Sequence, residues 1–117
     1  MSRVTRKKTS SKRKTHAPVF AALGDETRLT LIAKLCLGRP RSISQLTEGT
    51  KLSRQAITKH LLVLENAGIV KSVRNGRESL FEFDANPIEE IKGYLNQVSQ
   101  QWDKTLLRLK SFVENED

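Results

Sequence analysis

The sequence predicts a mostly helical α+β domain in the order α-α-α-α-β-β-α, and three stretches carry that prediction. Leu52 to Val70 reads as a capped amphipathic helix with a polar, basic outer side. Ile69 to Phe83 reads as a β-hairpin about Asn75-Gly76, and Asn86 to about Glu114 as one long helix on a single apolar stripe. At 117 residues the chain is one domain with room for a tail, small enough for a shared interface to enlarge its core.

Residues 1–15 hold seven Lys/Arg and no acids, a low-complexity run too polar to fold alone. The expected division is a disordered basic arm over 1–15 and a folded domain over 16–117. The arm has two readings, a flexible arm lying along the phosphates or in a minor groove of DNA and a solubilising tail. Regular structure is expected from near Pro18, with Val19, Phe20 and Leu23 on a short helix closed by Gly24. Asp25 caps the next helix, Glu26 to Leu37, with Glu26 at its positive end. Leu29, Ile32, Ala33 and Cys36 fall at i, i+3, i+4 and i+7, which predicts a buried stripe and an inert core thiol at Cys36.

Gly38 and Pro40 end that helix. Arg41 to Ile43 is a brief strand, and Ser44 caps a short helix containing Leu46 and ending near Gly49. Thr50 to Leu52 then leads into the helix opened by Ser53, whose hydroxyl suits the free N–H groups of the first turn. Ile57, Leu61 and Leu64 form its inner stripe, and Gly68 is its left-handed stop after Asn66 and Ala67. Two helices joined by a short turn containing glycine are the helix-turn-helix pattern, the second helix being the reader. Its candidate DNA contacts are Ser53, Arg54, Gln55, Thr58, Lys59 and His60, whose donors suit phosphates and base edges.

Asn-Gly between β-prone runs favours a type I′ turn with positive φ at both central residues. With Asn75-Gly76 as the loop, Arg74 would face Arg77 and Val70 would face Phe81. A cationic tip on an apolar base reads as a wing for the DNA backbone or minor groove, ahead of an accidental surface pair, so Arg74, Asn75 and Arg77 join the candidate contacts. Asn86 caps the last helix and Pro87 starts it; only Gly93 weakens it. Ile88, Ile91, Leu95, Val98, Trp102, Leu106, Leu109 and Val113 recur at three- and four-residue steps. A helix of about 40 Å outruns a domain of this size, which implies a partner helix from a second copy. Ile91, Leu95, Val98, Trp102, Leu106 and Leu109 are its expected dimer contacts, with Trp102 the anchor.

The net charge of +8 is unevenly spread: +7 over residues 1–15, +1 over 16–40, +5 over 41–77 and −5 over 78–117. A polyanion meeting one side of the fold accounts for that asymmetry. The single cysteine excludes an intrachain disulfide and fits a reducing compartment. No apolar run approaches a membrane span, and the basic N-terminus lacks the apolar centre of a signal peptide. The expected location is the cytoplasm, with the nucleoid. No nucleophile with a base, no paired carboxylates and no phosphate-binding glycine loop is evident, so no enzymatic activity, catalytic residue or cofactor is expected.

Three segments in this order, ALGDETRLTLI (22–32), LSRQAITKHLLVLENAGIV (52–70) and RNGRESLFEF (74–83), resemble the arsenic-repressor (ArsR) family of winged-helix transcriptional regulators. The resemblance runs from about Val19 to Val113. It implies a homodimer formed through the first and last helices, which adds Phe20 and Leu23 to the interface, and repression by occupying operator DNA. The helix from Ser53 would enter the major groove, and the hairpin at Asn75-Gly76 would be the wing. Metal-sensing members carry a Cys-Val-Cys-type segment where this chain has Ser42-Ile43-Ser44, and hydroxyls are poor ligands for thiophilic metals. Others place histidines on the final helix, whereas the only histidines here are His16 and His60; the paired thiols of redox sensors are absent too. No metal is therefore expected. Leu62 stands where the family often has a polar residue. The expected function is a metal-independent repressor acting as a homodimer on double-stranded DNA with an inverted repeat. A winged-helix module for protein contact is the alternative. For the effector, an organic small molecule, a protein antagonist and plain autorepression all stand.

Overall fold

The computed structural model describes residues 16–115, and the basic arm expected over 1–15 lies outside that range. Helix α1 covers 16–23, followed by α2 (Glu26–Leu35), strand β1 (Arg41–Ser42), α3 (Ile43–Thr47) and α4 (Arg54–Asn66). Strands β2 (Val70–Asn75) and β3 (Glu78–Phe83) and helix α5 (Asn86–Glu114) complete the chain. The brief strand expected from Arg41 is present as β1, which the α-α-α-α-β-β-α order leaves out; it pairs antiparallel with β3 and makes a three-stranded sheet, β1-β3-β2.

The core draws on every element but β1: Val19 and Ala22 of α1, Leu31 and Leu35 of α2, Leu46 of α3, then Ile57, Leu61 and Leu64 of α4, with Ile69, Val70, Phe81 and Ile91. On α2 the buried stripe is Leu31 and Leu35, with Ile32 partly buried; Leu29, Ala33 and Cys36 are exposed. That corrects the stripe expected from sequence. Apolar residues spread over more than half of this helix's circumference, so periodicity does not choose among them, and packing on α4 and β3 does. The helix also ends at Leu35, two residues early, with Cys36 as C-cap.

Ser42, not Ser44, caps α3. Its hydroxyl accepts from the Gln45 backbone N–H at 3.2 Å, and its own N–H donates to the Gln45 side chain at 2.9 Å. This reciprocal box needs Gln at the third helical position, which only Ser42 has. Lys34 reaches across from α2 to the carbonyls of Leu46 and Glu48, at 3.4 and 3.3 Å, satisfying acceptors at the other end of α3.

The hairpin is shifted from its expected register. Asn75 pairs with Glu78, Arg74 with Ser79 and Val70 with Phe83, so the loop is Gly76-Arg77 and Arg74 does not face Arg77. Gly76 has φ +64°, and no non-glycine described residue has positive φ. Glycine at the first central position suits a type II′ turn, which leaves Asn75 free to stay in the strand. The shift pairs six residues on each strand and sets Phe83 against Val70 at the apolar base.

Helix α5 begins with Asn86 as its first helical residue and Ala85 as N-cap, rather than with Asn86 as cap. Asp84 performs the capping, its carboxylate accepting from the Asn86 backbone N–H at 3.0 Å. The helix is 29 residues long. Its first turns rest on the core through Ile88 and Ile91, but every residue from Ser99 to Asn115 is exposed.

Candidate nucleic-acid interface

Helix α4 is built as the sequence implies. Ser53 accepts from the Ala56 backbone N–H at 3.1 Å, closing the first turn. At the other end Gly68 (φ +79°) donates to Glu65 O at 2.9 Å, and Ile69 to Leu64 O at 3.0 Å. This pair of bonds is a Schellman stop, and it turns the chain directly into β2. Ile57, Leu61 and Leu64 are fully buried, so one face of α4 is fixed inward. Ser72 Oγ, donating to Glu65 Oε2 at 2.7 Å, fastens the hairpin to the same helix.

Outside the buried stripe, Ser53, Arg54, Gln55 and Lys59 are exposed. On the hairpin, Arg74, Asn75 and Arg77 are exposed as well. Arg54, Lys59, Arg74 and Arg77 enter none of the ion pairs among the described residues. Their donors face water on a helix held by its buried stripe and on a hairpin held by its strand pairing, which suits phosphates and base edges.

Two expected contacts sit differently. Thr58 is half-buried, and its hydroxyl donates to Arg54 O at 2.7 Å, so its proton is engaged within the helix. His60 turns towards α2. Its Nδ1 lies 3.2 Å from Arg28 Nη1 and 3.8 Å from Asp25 Oδ2, so His60 belongs to an internal polar cluster rather than to the exposed donor face. The Arg28 backbone N–H, donating to Asp25 at 3.0 Å, holds that carboxyl below the ordinary range. Partial desolvation opposes the shift, while the Arg28 charge and the Thr27 N–H reinforce it. Arg28 and Asp25 went unrecognised in the sequence as partners of the reader. The available signal was a charged residue at 28, in step with Leu31 and Leu35 on the inner stripe of α2.

Of the expected dimer contacts, Phe20 and Leu23 are half-buried against the core. Ile91 is buried in the chain's own core and is not free to meet a partner. Val98 is half-buried, and Leu95, Trp102, Leu106 and Leu109 are exposed.

The family model described as bacterial regulatory protein, arsR family, matches residues 25–72, which span α2 to the start of the hairpin. The uncharacterized HTH-type transcriptional regulator YuzN of Bacillus subtilis is 36% identical over 84 residues, covering 66% of this chain and 91% of that protein. A solved ArsR-like transcriptional regulator from Rhodococcus sp. RHA1 is 36% identical with a TM-score of 0.74, over 86% of this chain and 93% of that one. The chain belongs to the ArsR family. It is a winged helix-turn-helix transcriptional regulator, a DNA-binding protein and not an enzyme. The homodimeric winged helix-turn-helix DNA-binding domain Mb0332 of Mycobacterium bovis shares the fold at 18% identity, with a TM-score of 0.63 over 83% of this chain and 89% of that one. No helix among the described residues is long and apolar enough to cross a membrane.

The donor set of this ArsR chain does not fit a thiophilic metal at the start of α3. Ser42 is buried and its hydroxyl is engaged as the cap, and Ser44 offers only a hydroxyl. Among the described residues no group of three or more His, Cys, Asp or Glu is placed to hold a metal ion.

Proposed function

We propose that this ArsR-family regulator is a homodimeric repressor that works without a metal ion. Two copies of α4 would enter successive major grooves of an inverted-repeat operator, with half-site centres about 10 bp or a multiple apart. The observation that carries the reading is the exposed set Arg54, Gln55 and Lys59, without ion pairs among the described residues, on a helix held inward by Ile57, Leu61 and Leu64. Arg54 and Gln55 are the proposed base readers, and Ser53, Lys59, Arg74, Asn75 and Arg77 the proposed backbone contacts.

The uncovered half of α5 supports the dimer. An isolated helix of that length is marginal in water, and Trp102, Leu106, Leu109 and Val113 give it an apolar seam that its own domain does not cover. The homodimeric state of the Mycobacterium bovis domain agrees with this assembly.

Binding to duplex DNA across a salt series tests the reading, followed by sequencing of the genomic DNA that the protein retains. Counterion release predicts log K falling against log[salt] with a slope near −0.9 per phosphate neutralised. One enriched inverted repeat, whose occupation lowers transcription in a reconstituted assay, is the expected result. Salt-insensitive binding, or no retention on duplex DNA at low salt, would instead favour a protein-contact module.

A further inference from the structure

Arg28 joins three helices through one side chain. Its Nε donates to Ala22 O at 2.7 Å and its Nη2 to Ala21 O at 3.3 Å, both carbonyls in the last turn of α1. Cationic donors are favoured at such a helix end, where carbonyls lack partners and the dipole is negative. The third arm, Nη1, lies 3.2 Å from Nδ1 of His60, midway along α4. A guanidinium has no acceptor and keeps its charge, so Nη1 donates and Nδ1 accepts. That leaves the neutral His60 imidazole with its proton on Nε2. Asp25 fastens the Arg28 backbone from below, at 3.0 Å.

The buried stripe of α4 dictates which face points inward. Apolar burial is non-directional, however, and sets the roll of the helix about its axis only coarsely. Directional bonds to a second element do. We propose that Arg28 and His60 are positioning residues for DNA reading, the guanidinium setting the roll and offset of α4 relative to the end of α1. This rests on the homodimer reading, in which α1 lies at the subunit seam. There the bracket fixes the distance and angle between the two reading helices. Lysine cannot replace the arginine, because a single ammonium does not reach three acceptors in a rigid fork.

The test uses the full chain and the best duplex that the wild-type protein selects from a random pool. One base pair is then inserted between its half-sites. For the wild-type protein the insertion should cost about tenfold or more in affinity, because one reading helix loses its base contacts. For Arg28→Met the penalty should fall below about threefold, with affinity for a single half-site within about threefold of wild type. His60→Gln, whose side-chain carbonyl can accept from Arg28, should keep the penalty, and His60→Leu should lose it. This pair carries the test should Arg28→Met fail to fold. Nitrogen-15 NMR of the imidazole should find Nε2 protonated in the neutral wild-type ring and that preference lost in Arg28→Met. An undiminished spacing penalty in both Arg28→Met and His60→Leu would overturn the inference. So would a proton on Nδ1 of the neutral ring, or half-site and full-site affinities falling together with thermal stability. No spacing penalty in the wild-type protein would defeat the homodimer reading itself, and this inference with it.

Discussion

Trp102 allows the proposed dimer to be tested quantitatively. The residue exposes 61% of its surface, and Leu106 and Leu109 further along the seam expose 57% and 56%. A tryptophan brings on the order of 150–250 Å² to an interface, so covering the exposed part removes about 90–150 Å² per protomer from water. At about 25 cal/mol per Å² that amounts to roughly 2–4 kcal/mol per protomer, contributed twice by two-fold symmetry. Association recovers only part of such area, so Trp102→Ala should raise the dimer dissociation constant by about 10²–10³-fold. The fold should survive, because Trp102 lies outside the core. Sedimentation equilibrium over a concentration series measures the constant. Trp102 is the only tryptophan in the chain, so wild-type emission should shift to the blue as dimer forms. A dissociation constant within about threefold of wild type, or water-exposed emission from a protein that is dimeric, would refute the role of this seam.

Arg54→Ala and Gln55→Ala should each flatten base preference by about 1–3 kcal/mol at one operator position, measured by competition among single-base variants. Arg77→Ala should weaken all duplexes alike and reduce the salt slope by about 1, which a salt titration reads directly. Leu61→Ala, at a fully buried position of α4, should cost about 2–5 kcal/mol in denaturant unfolding, whereas Ser53→Ala should cost about 1 kcal/mol through the lost cap. The carboxyl of Asp25 has its pKa lowered on folding, so its contribution is present above the unfolded value of about 3.9 and is lost as pH falls through the folded one. Asp25→Asn can keep the cap acceptor without the charge, so its stability deficit against wild type should shrink on acidification below that value; a deficit independent of pH would contradict this.

Features set by local chemistry were legible in the sequence. The Ser53 cap, the Gly68 stop and the stripe of Ile57, Leu61 and Leu64 depend on residues within a few positions of one another, and all appear where expected. The inner face of α2 was not legible, because its apolar residues cover more than half of the helix and tertiary neighbours select Leu31 and Leu35. The hairpin register was ambiguous for a different reason. Moving the loop by one residue shifts the partner strand by two, which leaves every side chain on the same face, so alternation alone could not discriminate. In the interface, Arg54, Gln55 and Lys59 are as exposed as the pattern implied. The inward turn of His60 depends on Arg28, 32 residues away, and no local rule reaches that far.

The exposed half of α5 makes the regulator's own abundance part of its chemistry. From Ser99 to Asn115 the helix has no core of its own to lean on, so in the proposed dimer its order would come from a second copy. The amount of binding-competent protein then varies as the square of the total while monomer predominates. Operator occupancy would rise steeply across a narrow range of cellular copy number, and dilution at cell division would act on repression more than proportionally. A regulator built this way would respond to how many copies of itself are present.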